Sequence, residues 1–341
     1  MTASQIPSRL VADVGGTNAR FALLDEVGMP TQIHVLACID YPDIGSAMRA
    51  YLTVVDKRIM AAVIAIATPI TGDRIAMINH HWSFSVQALK AELGFTSLVF
   101  INDFAALASS LLSLPVKDLV QVGGGFAVPN SPIGVIGPGT GLGVAGLVKT
   151  GSIWRPLAGE GGHVTLAAAN DFESDIISAL RNRMGHVSAE RILSGPGLSL
   201  LRETIGAIRN EVVEPIAPVE ITRRALSGND GLCVEAVTVF CSMLGTMAGN
   251  LALTLGASGG IYLGGGILPQ LGSFFGHSPF RDRFEDKGRF ASYLASIPCY
   301  VIHAEYPALI GASRYFEYDE ETCLEVKTNY CMRSPDWRID E

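Results

Sequence analysis

Twice along the chain, three short strand-like runs lead into a helix, another strand and another helix. The first series is "RLVADV", "ARFALLD" and "QIHVLACI", a helix over about 43–56, the strand "MAAVIAIA", a helix over 85–93, the strand "SLVFIN" and a helix over 104–112. The second is "PIGVIGPG", "LGVAGLVK" and "SIWRPL", a helix over 232–255, the strand "GIYL", a helix over "RFASYLASI", the strand "CYVIHA" and a last helix over "PALIGASRYFEY". Apolar, β-branched runs bounded by glycine and proline favour strands, and Met48, Leu52 and Val55 recur at helical spacing. A helical insertion interrupts the second series. Its first helix starts at Asn170 with Asp171 and Glu173 in the opening turn and stops at Gly185; others start near "SAERIL" and at Pro196.

The two halves share an order of elements rather than residues. A chain of 341 residues is long for one hydrophobic core. The repeat therefore predicts two α/β lobes, each β-β-β-α-β-α, with a ligand cleft between them. The small lobe is expected over 1–113 together with a C-terminal helix over 304–318, the large lobe over 114–303, and a polar tail over 319–341.

Between Glu235 and Arg281 there is no charged residue, which invites a transmembrane reading. Ten glycines, two prolines, Asn250 and Gln270 break that stretch, and "GASGG" splits it into a buried helix and a short buried strand. The start "MTASQIPSRL" has no apolar signal-peptide core. No membrane role is expected, and the location expected is cytoplasmic. A net charge of −8 without a basic tract argues against nucleic acid as a partner. None of the six cysteines forms a C-x-x-C pair, so reduced thiols are expected rather than a zinc or redox site.

Two glycine turns occupy equivalent places in the two series: Gly15-Gly16-Thr17 and Gly139-Thr140-Gly141. Each joins strand to strand, so the formal match of Gly141-x-Gly143-x-x-Gly146 to a dinucleotide fingerprint fails on context, since no helix follows. Either turn alone could be an ordinary hairpin. As a pair, with backbone N–H groups unscreened by side chains and a threonine hydroxyl in each, they point to a phosphate clamp. Gly264, Gly265 and Gly266 in "YLGGGILP" follow a buried strand and suit either close approach of an adenosine or a tightly packed helix entry.

Asp13 interrupts an apolar run directly before Val14 and the first turn. It is either a hydrogen-bonded structural carboxylate or a ligand, through water, of the Mg2+ that accompanies a nucleotide. In "VFINDFAAL", Asn102 and Asp103 stand where a strand ends and a helix begins. That is the position of ligand sites in α/β sheets and also of helix N-caps. "GEGGHV" contributes Glu160 and His163 on a glycine-hinged loop, and "SAERIL" contributes Glu190. Carboxylates that accept and an amide and imidazole that donate make a set suited to a polyhydroxyl ligand.

The segments "ADVGGTNARFAL", "ATPITGDRIAMINHHW", "INDFAALA", "GPGTGLGVA", "GEGGHV", "SAERILSGPGL", "FEDKGRF" and "YLGGGILP" resemble the bacterial glucokinases, over about 10–318. The resemblance implies the actin-like ATPase (ribonuclease H-like) fold and phosphorylation of glucose by ATP. It implies that Asn102, Asp103, Glu160, His163 and Glu190 contact glucose, with Asp103 as base on the 6-hydroxyl. It also implies that 13–17 and 139–141 hold ATP phosphates and Mg2+, and that the protein is a homodimer. Ala12 stands where the family often has glycine, and the tail 319–341 is longer than the resemblance leads one to expect. The competing readings are a kinase for another hexose and a catalytically silent sugar sensor of the same fold. A repressor lacks room for a helix-turn-helix module, and a chaperone-type ATPase lacks a peptide-binding domain.

Overall fold

The computed structural model describes residues 8–78 and 80–316, and two compact units divide them. The tail 319–341, with Cys323 and Cys331, lies outside the described residues, as does the end of the last helix expected from the sequence.

The first unit comprises 8–113 and 306–316. Its strands are β1 (Ser8–Val14), β2 (Asn18–Leu24), β3 (Pro30–Ala37), β4 (Ile59–Ile66), β5 (Arg74–Ala76), β6 (Ser83–Ser85) and β7 (Ser97–Asn102), with helices α1 (Ile44–Val55), α2 (Val86–Leu93) and α3 (Asp103–Ser110). The sheet runs β3-β2-β1-β4-β7, antiparallel through β2 and β3 and parallel through β4 and β7. The parallel strands need both faces covered. On one face Leu10, Ala12 and Val14 meet α1 and α2 through Met48, Tyr51 and Leu89. On the other, Val11, Val63 and Ile101 meet Ala106 of α3 and Leu309 and Ala312 of the C-terminal helix.

The second unit, 114–305, repeats this plan. It holds β8 (Leu119–Val122), β9 (Ile133–Pro138), β10 (Leu142–Thr150), β11 (Ile153–Gly159), β12 (Ile261–Leu263) and β13 (Cys299–Ile302). The order is β11-β10-β9-β12-β13-β8, so β9 holds the place of β1, β12 that of β4 and β13 that of β7. The helices are α4 (Asp171–Met184), α5 (Ala189–Ile192), α6 (Gly195–Ile208), α7 (Pro218–Ser227), α8 (Gly231–Leu255), α9 (Ile267–Leu271), α10 (Ser273–His277), α11 (Phe280–Glu285) and α12 (Ala291–Ala295); α13 (Pro307–Arg314) belongs to the first unit.

The first part of the uncharged stretch lies in α8, whose mean hydropathy and length would suffice to span a membrane, yet most of that helix is buried inside this unit. A Cβ at Gly245 would lie 2.2 Å from the Phe280 carbonyl, and one at Gly249 2.6 Å from that of Phe284, so these glycines let α11 pack directly on the α8 backbone. Beside them Arg283 makes two bonds, at 2.9 and 3.2 Å, to Glu173, whose side chain is 3% exposed.

Several elements were not foreseen: the β5–β6 hairpin, the edge strand β8, helix α7 and the short helices α9, α10 and α11. The helix expected over "RFASYLASI" is a 3-10 turn at Gly288–Phe290 followed by α12.

Candidate functional site

In the first unit the candidates gather at the carboxyl end of the sheet. Val14 pairs with Ile66 across β1 and β4, and Ile66 pairs with Asn102 across β4 and β7. This register puts Asp13–Thr17 and Asn102–Asp103 at one end, one strand apart. Alternation along β1 places Asp13 on the same face as Val11, the face that α3 covers. Asp13 and the start of α3 therefore share both an end and a face.

Asp13 is not alone. Arg20, directly opposite on β2, donates from Nη1 to Asp13 Oδ2 at 3.1 Å. Burial pushes the Asp13 carboxyl above its ordinary range, and the Arg20 charge and hydrogen bond oppose that rise. In the turn itself, Gly15 N–H donates to Asn18 O, Cys38 N–H to Thr17 O, and the Cys38 thiol to Gly15 O. Among the described residues, none accepts from the N–H groups of Gly16 and Thr17. Those are the donors an anion would meet. Asn102 is the N-cap of α3: its Oδ1 accepts from Ala105 N–H at 3.0 Å. Asp103 is the first helical residue, and its Oδ1 accepts from Phe104 N–H at 2.9 Å. The capping reading thus holds for Asn102 and not for Asp103, while the Asn102 amide nitrogen keeps its capacity to donate.

The second unit assembles its own candidates around the carboxyl ends of β9 and β12. Gly139 N–H donates to Gly141 O at 2.8 Å, closing the turn, and none of the described residues accepts from Thr140 or Gly141 N–H. The two turns therefore present the same pair of donors. Glu190, in α5, bonds the end of this turn: its Oε2 accepts from Leu142 N–H at 2.9 Å. Glu160 bridges Val144 of β10, and His163, one 3-10 turn later, has Nε2 3.9 Å from Glu160 Oε2, both side chains about half exposed. Gly161 and Gly162 do not act as hinges. A Cβ at Gly162 would stand 2.0 Å from Leu142 O and one at Gly161 2.8 Å from the Val144 side chain, so they press the turn onto β10.

A family model described as Glucokinase matches residues 10–318, a span holding every candidate residue. The chain belongs to the glucokinase family. Among curated relatives, "Glucokinase" of Aromatoleum aromaticum is 52% identical over 310 residues, covering 89% of this chain and 93% of that protein. "Glucokinase" of Chromobacterium violaceum is 51% identical over 308 residues, covering 90% and 88%. Among solved structures, a glucokinase from an Antarctic psychrotroph is 36% identical with a TM-score of 0.79, covering 94% of this chain and all of that one. A Streptomyces griseus glucokinase of the ROK family, solved with glucose and AMPPNP, shares the fold at 18% identity and a TM-score of 0.63, covering 90% and 98%. The fold is that of the actin-like sugar kinases.

For this glucokinase-family chain the three glycines after β12 have separable roles. Gly264 N–H donates to Ile136 O at 3.0 Å, prolonging the β9–β12 ladder. Gly265 has φ +80°, and a Cβ there would sit 2.1 Å from Pro138 O, so the backbone itself demands glycine. Gly266 heads α9 with nothing within 4 Å of where a Cβ would be. Tight packing therefore explains Gly265, whereas Gly266 has open space beside it.

Sequence reasoning missed Arg20 and Cys38. Arg20 was legible as the cross-strand partner of Asp13 once the Gly15–Thr17 turn set the register. Cys38 carried no signal, because its contact with the turn depends on how β3 returns.

Proposed function

We propose that this protein is an ATP-dependent glucokinase that forms glucose 6-phosphate. The observation that supports it best is that kinship to named glucokinases runs unbroken from before Asp13 to beyond Gly266. Asn102, Asp103, Glu160, His163 and Glu190 bind the sugar. Asp103 takes the proton of the 6-hydroxyl as the bond to the γ-phosphorus forms, and ADP leaves.

The phosphates take the N–H groups of Gly16, Thr17, Thr140 and Gly141, with the exposed Thr17 and Thr140 hydroxyls beside them. Gly264–Gly266 border the adenosine. A single carboxylate completed by phosphates and water suits Mg2+. Asp13 would hold that cation, its Oδ2 being on Arg20 and its other oxygen left for the task. When bound, Mg2+ neutralises phosphate charge and orients the chain of phosphates. The reading extends to a cytoplasmic homodimer that acts on neither membrane nor nucleic acid.

A coupled ADP-release assay with Mg·ATP and a panel of hexoses tests this. Glucose should give the highest kcat/KM. A preference for mannose or fructose would establish the other-hexose reading, and sugar binding without ADP release would establish a silent sensor.

A further inference from the structure

The β5–β6 hairpin and its loop 77–82 belong to none of the binding sets above, yet hydrogen bonds tie them to the first glycine turn from two sides. Met77 N–H donates to Trp82 O at 3.0 Å and closes the loop. At the base of the hairpin, the buried Thr68 hydroxyl donates to Ala76 O at 3.0 Å, and the neighbouring Ala67 N–H donates to Val14 O at 3.0 Å. At the tip, Trp82 is 1% exposed and its Nε1–H donates to Tyr41 O at 3.1 Å; His81 Nε2 bonds Pro42 O at 3.1 Å. Tyr41 N–H donates in turn to Cys38 O at 3.2 Å. Cys38 then bonds the glycine turn twice, through its N–H to Thr17 O at 2.8 Å and its thiol to Gly15 O at 3.4 Å.

His80 also lies in this loop. Its ring lies 4.3 Å from that of His81 and edge-on to Trp82 at 4.8 Å, and among the described residues neither of its buried ring nitrogens has a hydrogen-bond partner. Burial, with His81 beside it, holds this imidazole below its ordinary pKa.

We propose that Trp82 and Cys38 are positioning residues for the nucleotide. The chain Trp82–Tyr41–Cys38 draws the carbonyls of Gly15 and Thr17 back toward the protein, so that the Gly16 and Thr17 N–H groups are presented to the phosphates. This deepens the kinase reading and rests on it. The physical basis is preorganisation: donors fixed before binding spare the ordering cost that a loose glycine turn would incur when the anion arrives.

The test uses the full chain and calorimetry with Mg·ATP and, separately, with glucose. Cys38→Ala removes the thiol donor, Cys38→Ser restores a donor at that position, and Trp82→Phe removes the indole N–H while keeping an aromatic ring. Cys38→Ala and Trp82→Phe should each weaken Mg·ATP binding by about 2- to 13-fold, the loss expected of one hydrogen bond. Glucose affinity should stay within twofold of wild type, and Cys38→Ser should recover most of the lost nucleotide affinity. Equal weakening of both ligands, or a lower Tm with unchanged Mg·ATP affinity, would reduce these residues to fold support and overturn the proposal. If Trp82→Phe does not fold, the Cys38 pair decides alone. A wild-type chain that binds Mg·ATP but never turns over glucose would sink the kinase reading only; one that binds no Mg·ATP sinks both.

Discussion

Gly139→Ala separates a glycine kept for the protein from one kept for a ligand. Gly139 does not have a left-handed φ, and a Cβ built there meets no atom within 4 Å. Alanine is therefore compatible with the folded chain in both conformation and space. It also restricts the unfolded chain, so stability should be unchanged or higher by about 0.4–1 kcal/mol. With nucleotide bound the balance reverses. If a phosphate lies against this turn, the new methyl occupies space that the anion or its water needs, and overpacking of that kind costs about 1–3 kcal/mol. At 1.4 kcal/mol per factor of ten, the KM for ATP should rise by roughly 5- to 140-fold with the KM for glucose little changed.

Gly141→Ala makes the contrast. Its Cβ would lie 2.4 Å from Glu190 Oε2, so the carboxylate must swing away from Leu142 N–H. That variant should raise the glucose KM as well. Steady-state kinetics and thermal melts on the same preparations decide. An unchanged ATP KM in a stable Gly139→Ala protein would refute the phosphate-clamp reading of this turn.

Asp13→Asn should leave Tm at neutral pH no lower than wild type while Mg2+-dependent turnover collapses. A carboxyl raised by burial contributes stability below its ordinary value of about 3.8 that is lost as pH climbs through its folded value, so an amide removes a neutral-pH penalty; a fall in Tm with turnover intact would make Asp13 structural. Gly311→Ala should destabilise the first unit by about 3 kcal/mol or more, because its Cβ would fall 1.7 Å from Ala106 O and pry α13 from the helix that carries Asp103; urea melts read this. Glu220, held down to about 2 by Arg223 and Arg224, stabilises the first turns of α7 above its ordinary 4.5 and loses that effect as pH falls toward 2; hydrogen exchange along α7 should speed up across that window and not above it.

The strands that frame the candidate residues were readable because each is a β-branched run ended by glycine or by a polar residue with a role. What escaped was short or edge-bound. β8 is a four-residue strand beside "GGG", too brief for alternation to show, and it exists because β13 offers a free edge. Helix α7 did carry a signal: Pro218 at its first turn, Glu220 three and four residues before Arg223 and Arg224, and Gly228 past its end. It was lost in a long polar insertion. The membership of the two residue clusters was likewise legible, since a strand end and a glycine turn are local features. The bond between Glu190 and Leu142 and the tie from Trp82 to Cys38 were not. Each depends on a register or return path set by packing that one sequence does not display.

Asp103→Asn bears on the chemistry itself. Phosphoryl transfer depends mainly on positioning and charge compensation, but the sugar hydroxyl must still lose its proton, and a placed general base contributes about 10²–10⁴-fold. The substitution is nearly isosteric and keeps an oxygen able to accept the Phe104 N–H bond. It also leaves the helix cap intact, because Asn102, not Asp103, accepts from Ala105 N–H. What it withdraws is basicity and one negative charge at the first turn of α3, the latter worth only about 0.3–1 kcal/mol of helix stability. The expected result is a melt within a few degrees of wild type, a glucose affinity nearly retained, and kcat lower by roughly 10²–10⁴-fold. Raising the pH should not restore the lost rate, since an amide does not ionise in that range. If kcat instead stays within tenfold of wild type, Asp103 is a helix-start residue that touches the sugar without taking its proton. Glu160 and Glu190 then become the carboxylates to substitute next.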